Sequence, residues 1–250
     1  MAPTSIDGTE ITGATIDGQD VSEITVDGET VFTAIPDSLL YHYTFDGGDL
    51  TDQMGNGPAL TNNGATLTST AVSGDAFDFA GNDVSRLEGS NATELDGLNE
   101  VSVAMWIRPD TTNQPQDFAF PLSFADTFDG NSGDPQFSFA DFGTSIRFDA
   151  AGGRAASSNQ LSANTYTLVT GTYNSGNITL YYNDANQQAT DSGGASSTLT
   201  NTHNLMFIGD SAFSDNDDTL DGKIDEVKFY DKELSSTEVS NLFNTGSING

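Results

Sequence analysis

The chain has 250 residues, with 37 acidic against 7 basic side chains and a net charge of −30. It contains no cysteine, so no disulfide framework holds it, and no basic face exists to bind nucleic acid. No stretch approaches the ~20 apolar residues that a membrane-spanning helix needs, so membrane insertion is not expected.

The acids are spread along the whole chain rather than gathered in a tail, and only three residues are lysine. Such a surface repels itself in dilute buffer. At ~1 M salt the Debye length falls to roughly 3 Å and the repulsion is screened. The balance therefore suits a halophilic protein; the alternative is an acidic protein whose aspartates sit in calcium loops. Sixteen Phe, seven Tyr and one Trp supply a core, and abundant Gly, Thr, Ser, Asn and Asp suit many strands joined by turns.

Residues 1–36 read as a separate β-repeat module. Ile6-Asp7-Gly8, Ile16-Asp17-Gly18 and Val26-Asp27-Gly28 recur every ten residues. Each Asp-Gly is a tight-turn signal flanked by β-branched residues, which predicts a meander of very short strands. Three such units cannot bury a core alone, so these nine residues are candidates for anchoring or oligomerisation. The opening MAPTSIDGTE lacks a basic region and an apolar run, so it does not read as a secretory signal. Pro36 marks the junction, with residues 37–250 as the second domain.

Further along, LLYHYTF (39–45) predicts a first long strand, followed by an acidic loop through Asn56. AFDFAG (76–81) and VSVAMWIRP (101–109) predict further strands. In the latter, Val103, Met105 and Ile107 share one face, and Ala104 and Trp106 the other. Trp106 reads as core rather than as a sugar platform. Apolar runs continue from Phe118 to Phe148, interrupted by the acidic loop 126–134. Residues 166–183 read as a hairpin turning at Asn174-Ser175-Gly176, and NLMFIG (204–209) as a strand before the polar loop 213–218. That last loop reads as solvated surface.

The stretch DGKIDEVKFYDKELSSTEVSNLF (221–243) closes the chain. Alternation places Asp225, Val227 and Phe229 on one face of a strand, and Ile224, Glu226, Lys228 and Tyr230 on the other. A helix then starts at N-cap Ser235, with Glu238 completing a capping box, Leu234 and Val239 a hydrophobic staple, and Gly246 the stop. The pattern of short strands and one C-terminal helix predicts an all-β fold: a two-sheet antiparallel jelly-roll sandwich.

The signature G-x-I-D-E-V-x-x-Y-x-x-x-L-S-x-x-E-V resembles the C-terminal end of laminin-G-like domains of the concanavalin A-like superfamily. The opening from Tyr43 to Gly57 and the strand around Trp106 are similar to that family as well. The resemblance covers about residues 39–245 and implies the same jelly roll. It also implies a structural calcium between the opening loop and the last strand, with Asp46, Asp52, Asn56 and Asp225 as candidate ligands. The N-terminal repeat resembles segments of structural proteins of haloarchaeal tailed viruses.

Catalytic residues are not expected. Only His42 and His203 are present, with no cysteine, and the adjacent Asp225 and Glu226 are predicted to face opposite ways. The composite expectation is a virion surface protein of a haloarchaeal virus: a capsid spike, turret or tail-fibre head. It would be a homo-oligomer bound to other virion proteins through its N-terminal module, and its sandwich would contact host surface glycans or glycoprotein. A cellular glycan-binding module or adhesin, and a structural decoration that binds nothing, are the alternatives.

Overall fold

A computed structural model describes the backbone of six short strands within residues 5–33, and residues 38–81, 85–112, 114, 119–125, 137–141, 143–191, 194–199, 204–211 and 218–249. The loops 126–134 and 213–217, His203 and the Asp-Gly pairs of the repeat lie outside the described residues.

The chain divides into two compact units, Met1–Asp37 and Ser38–Ile248. In the first, β1 (Ser5–Ile6) pairs with β2 (Thr9–Glu10), β3 (Thr15–Ile16) with β4 (Gln19–Asp20), and β5 (Glu23–Val26) with β6 (Glu29–Thr33). Each ladder closes across one predicted Asp-Gly site, pairing Ile6 with Thr9, Ile16 with Gln19 and Val26 with Glu29.

The second unit is a sandwich of two antiparallel sheets. Its strands are β7 (Leu39–Tyr43), β8 (Thr61–Asn63), β9 (Thr66–Thr68), β10 (Ala76–Ala80), β11 (Arg86–Ser90), β12 (Glu100–Pro109), β13 (Ala119–Ala125), β14 (Phe137–Asp141), β15 (Ile146–Ala150), β16 (Gly153–Ala156), β17 (Thr167–Asn174), β18 (Asn177–Tyr182), β19 (Asn186–Asp191), β20 (Leu205–Ile208) and β21 (Asp221–Tyr230). One sheet has eight strands in the order β19-β18-β17-β12-β21-β10-β9, with β7 also pairing with β21; the other has seven, β16-β15-β14-β13-β20-β11-β8. The long β21 is flanked by β12 on one side. On its other side, β10 covers its first half and β7 its second.

Between the sheets lies an aromatic core. Tyr41, Tyr43, Phe45, Phe77 and Phe79 pack with Phe124, Phe137, Phe139, Phe148 and Phe229, all buried. Phe124 meets Phe229 edge-on at 5.8 Å between centroids, joining the two layers. As the alternation predicted, Val103, Met105 and Ile107 enter this core.

The outer face of the eight-stranded sheet carries a second, smaller core under the helix α1 (Ser236–Thr245), formed by Leu39, Ala104, Leu168, Tyr230, Leu234, Val239 and Leu242. The predicted capping box is present: Ser235 accepts from the Glu238 N–H, and Glu238 accepts from the Ser235 N–H. Gly246 ends the helix at φ 77°, a left-handed conformation that glycine adopts without penalty. Trp106 packs here, half-buried 5.6 Å from the Phe243 ring, and so belongs to the helix contact rather than to the central core.

Candidate functional site

The period-2 reading of β21 fails at one residue. Ala104 pairs with Lys228 and Trp106 with Asp225, so Met105 alone faces both Glu226 and Val227. Glu226 sits at φ 51°. This is a β-bulge, and it resets the alternation. Ile224, Val227 and Phe229 point into the core, whereas Asp225 shares the outer face with its cross-strand partner Trp106. Asp225 is therefore not on the Val227–Phe229 face, and Asp225 and Glu226 do not point opposite ways.

On that outer face Asp225 is fully buried beneath the turn 70–75. Its Oδ2 accepts the N–H groups of Val72 (2.8 Å) and Ser73 (3.0 Å); its Oδ1 has no hydrogen-bond partner among the described residues. Burial pushes the Asp225 carboxyl up to about 6. Asp46 grips the other end of the same turn, where its Oδ1 accepts the Asp75 N–H at 3.2 Å, and Asp75 in turn accepts from the Gly47 N–H. Gly74 lets this happen. A Cβ there would stand 1.6 Å from Asp46 Oδ1, at a φ of +51°.

Next along β21, Glu226 joins His42 and Lys228 in a trio. Its Oε2 lies 2.8 Å from His42 Nε2 and 2.8 Å from Lys228 Nζ, which also donates to the Gly246 carbonyl. Burial raises the Glu226 carboxyl, but the His42 hydrogen bond and the Lys228 charge outweigh it and hold it down at about 2.

The four candidate calcium ligands separate into two groups. Asp52 accepts four backbone N–H groups: His42 (2.7 Å) and Met54 (3.1 Å) on Oδ1, Asn56 (2.8 Å) and Gly57 (2.7 Å) on Oδ2. With its acceptor directions filled by donors, it pins the loop and does not fit a cation. Asn56 belongs to that same loop, its Nδ2 donating to the Leu40 carbonyl. Asp46 and Asp225 remain as a pair gripping one turn, and the orphaned Asp225 Oδ1 is the feature a hard cation suits. Among the described residues no group of three or more His, Cys, Asp or Glu could hold a metal ion.

Every cation of the chain is committed to a carboxylate. Arg86 reaches Asp210 (3.4 Å) and Glu88 (3.5 Å); Arg108 pairs with Asp110; Arg147 (2.8 Å) and Arg154 (2.7 Å) both hold Asp149. Lys223 bridges Asp110 (2.8 Å) and Asp78 (3.1 Å), Lys228 holds Glu226, and Lys232 holds Glu238. Those are all seven.

The seven-stranded sheet carries one register row across its full width: Arg154, Asp149, Ser138, Ser123, Phe207, Glu88 and Thr61. Asp149 and Glu88 stand four strands apart, about 19 Å at the usual ~4.8 Å per strand. That is far beyond the 5–10 Å or so that paired glycosidase carboxylates need. Sequence reading missed this row and the His42–Glu226–Lys228 trio. Both depend on cross-strand register, which no local pattern records. Asp218, predicted as solvated, is buried and accepts the Ser211 hydroxyl at 2.7 Å.

Two antiparallel sheets, an aromatic interlayer and a capped helix on one outer face define a lectin-type jelly roll. Residues 79–240, more than half of the chain, match the Laminin_G_3 family, described as concanavalin A-like lectin/glucanases superfamily, and the chain belongs to this family. No curated protein matches it. Among solved structures it is similar to domain 4 of AbnA, a GH43 extracellular arabinanase from Geobacillus stearothermophilus, solved in complex with arabinotriose (18% identity, TM-score 0.63, 83% of this chain and 98% of that one). It is also similar to the botulinum neurotoxin type G receptor binding domain (16%, 0.62, 84% and 51%) and to the binding domain of Paraclostridial Mosquitocidal Protein 1 (15%, 0.64, 84% and 52%). The chain spans about half the length of these two binding domains. At such identities the likeness carries the fold alone.

Proposed function

We propose that this is a non-enzymatic, surface-displayed protein whose jelly roll contacts glycans. In its fullest form the reading is a spike, turret or tail-fibre head on a virus of a halophilic archaeon. The observation that carries it is the lectin-type sandwich itself, together with the arabinotriose complex of the similar AbnA domain. The excess of 30 negative charges supports the halophilic setting, and the ten-residue repeat supports a fastening role for residues 1–36. Multivalent display lets weak contacts add up.

A hydrolase is the less favoured reading. Asp225 and Glu226 share a face, yet Asp225 is sealed under Val72 and Ser73, and Glu226 is ion-paired with Lys228 and hydrogen-bonded to His42. Calcium, where bound, would be held by Asp225 and Asp46 with carbonyl and water oxygens. It would supply charge to the buried Asp225 and tie the turn 70–75 to β21. The AbnA likeness also favours a second reading, a glycan-binding module of a secreted cellular protein.

The test is binding of the full chain to immobilised oligosaccharides in ~3 M NaCl, starting with arabinotriose, with the eluate assayed for new reducing ends. Saturable binding without cleavage is expected. Cleavage, or no binding across a broad saccharide panel, would contradict the reading.

A further inference from the structure

We infer that the glycan recognised by this sandwich is uncharged, and that acidic saccharides of the sialylated or sulfated kind are excluded. The inference rests on the glycan reading and narrows it. An anionic sugar is held where a protein offers its carboxylate or sulfate a guanidinium or ammonium group with hydrogen bonds to spare. This chain has seven such groups, and all are taken.

Five of the seven are also withdrawn from solvent. The side chains of Arg86, Arg108, Arg147, Lys223 and Lys228 are between 9% and 19% exposed. Drawing Arg86, Arg147 or Lys228 away would weaken the counter-charge of Asp210, Asp149 or Glu226, carboxylates that are themselves poorly hydrated, which costs more than an exposed pair returns. Arg108 and Lys223 are both held on the one Asp110. The two more exposed cations are Arg154 (44%) and Lys232 (35%). Arg154 is held on Asp149 by two bonds, from Nε at 2.7 Å and from Nη2 at 3.3 Å. Lys232 is tied to Glu238, whose other oxygen completes the helix cap. They belong to different parts of the sandwich: Arg154 lies on an edge strand of the seven-stranded sheet, and Lys232 lies between β21 and α1. Where two cations do meet, Arg147 with Arg154 and Arg108 with Lys223, a carboxylate of the chain, Asp149 or Asp110, already takes the place of the anion.

What the surface offers is an excess of acceptors. Carboxylate oxygens, Asn and Gln carbonyls and Ser and Thr hydroxyls accept hydrogen bonds from sugar hydroxyls, as neutral pyranoses and furanoses require.

The experiment compares matched pairs on the full chain in ~3 M NaCl, where long-range repulsion is screened and only direct contacts discriminate. Lactose is paired with sialyllactose, and neutral oligosaccharides with their sulfated counterparts, by isothermal calorimetry. The neutral member is expected to bind at least tenfold more tightly. Arg154→Ala and Lys232→Ala, each checked for an unchanged melting curve, are expected to leave neutral binding within twofold. An acidic member that binds more tightly than its neutral core would overturn the inference, the more so if either variant abolished that gain. If neither class binds, the glycan reading fails and takes this inference with it.

Discussion

Glu226 holds a left-handed backbone in the middle of the ten-residue β21, a conformation that costs a non-glycine residue of order 1 kcal/mol. Its carboxylate is fixed at one point by His42 and Lys228, and Lys228 also secures the end of α1 through the Gly246 carbonyl. Glu226→Gln keeps the shape and removes the charge, so it leaves Lys228 buried with neutral acceptors only. A loss of about 1–3 kcal/mol is expected by thermal unfolding in high salt. Three other buried carboxyls set the pH dependence with Glu226. One is Asp225, at about 6. Burial, opposed only by the Gly143 N–H, raises Asp141 to about 6; burial raises Asp210 to about 7 despite the Ser211 N–H and Arg86. A raised carboxyl binds its proton more tightly in the folded chain, so this stability is complete below pH ~4 and is lost as pH rises through 6–7. Glu226 runs the other way, since its folded value near 2 lies below the unfolded one. Its contribution is present above pH ~4.5 and is lost as pH falls towards 2. Melting temperature at constant molar salt is therefore expected to peak near pH 4–5. Asp141→Asn and Asp210→Asn should flatten the alkaline side, and Glu226→Gln the acidic side. A profile that rises steadily to pH 8 would contradict these assignments.

The bulge also explains why β21 was only partly legible at the scale of elements. Its span, its apolar positions and the following helix with its caps could be read from local pattern, because capping and alternation act over three or four residues. The face of Asp225 could not, because one extra residue opposite Met105 inverts everything before it. The same limit applies to the edge strands. β19 reads NQQATD and β8 reads TNN, polar runs that become strands only because a neighbour offers a ladder. Of the candidate calcium ligands, Asp46 does meet the turn that covers Asp225, whereas Asp52 is occupied by four amide donors that only the folded loop reveals. Packing between elements yields two expectations. Gly171 of β17 faces Phe148 of β15 so closely that a Cβ would lie 2.5 Å from the ring. Gly171→Ala should therefore cost about 1–3 kcal/mol or more by forcing the sheets apart. Leu242→Ala removes a buried side chain from beneath α1 and should cost about 2–5 kcal/mol. Since Trp106 is the only tryptophan and packs on Phe243, loosening of the helix should shift its emission to the red.

For the whole molecule the charge and the architecture pull against each other at low salt. An excess of 30 negative charges is carried by a chain whose seven cations are all paired with its own carboxylates, so nothing inside the chain remains to offset the rest. Screening must come from solvent ions. Trp106 emission followed through a NaCl titration is expected to report unfolding as salt drops below molar levels; full stability in dilute buffer would contradict the halophilic reading. The proposed display role asks one thing more, that residues 1–36 gather copies of the sandwich. Two-stranded ladders as short as Ser5–Ile6 with Thr9–Glu10 are marginal alone and need further pairing. The most direct measurement is light scattering after size exclusion in ~3 M NaCl, on the full chain and on a chain beginning at Pro36. A closed oligomer of the 26.3 kDa chain that becomes monomeric on truncation is expected. Two monomers would contradict the self-assembling display and leave a lone glycan-binding module in its place.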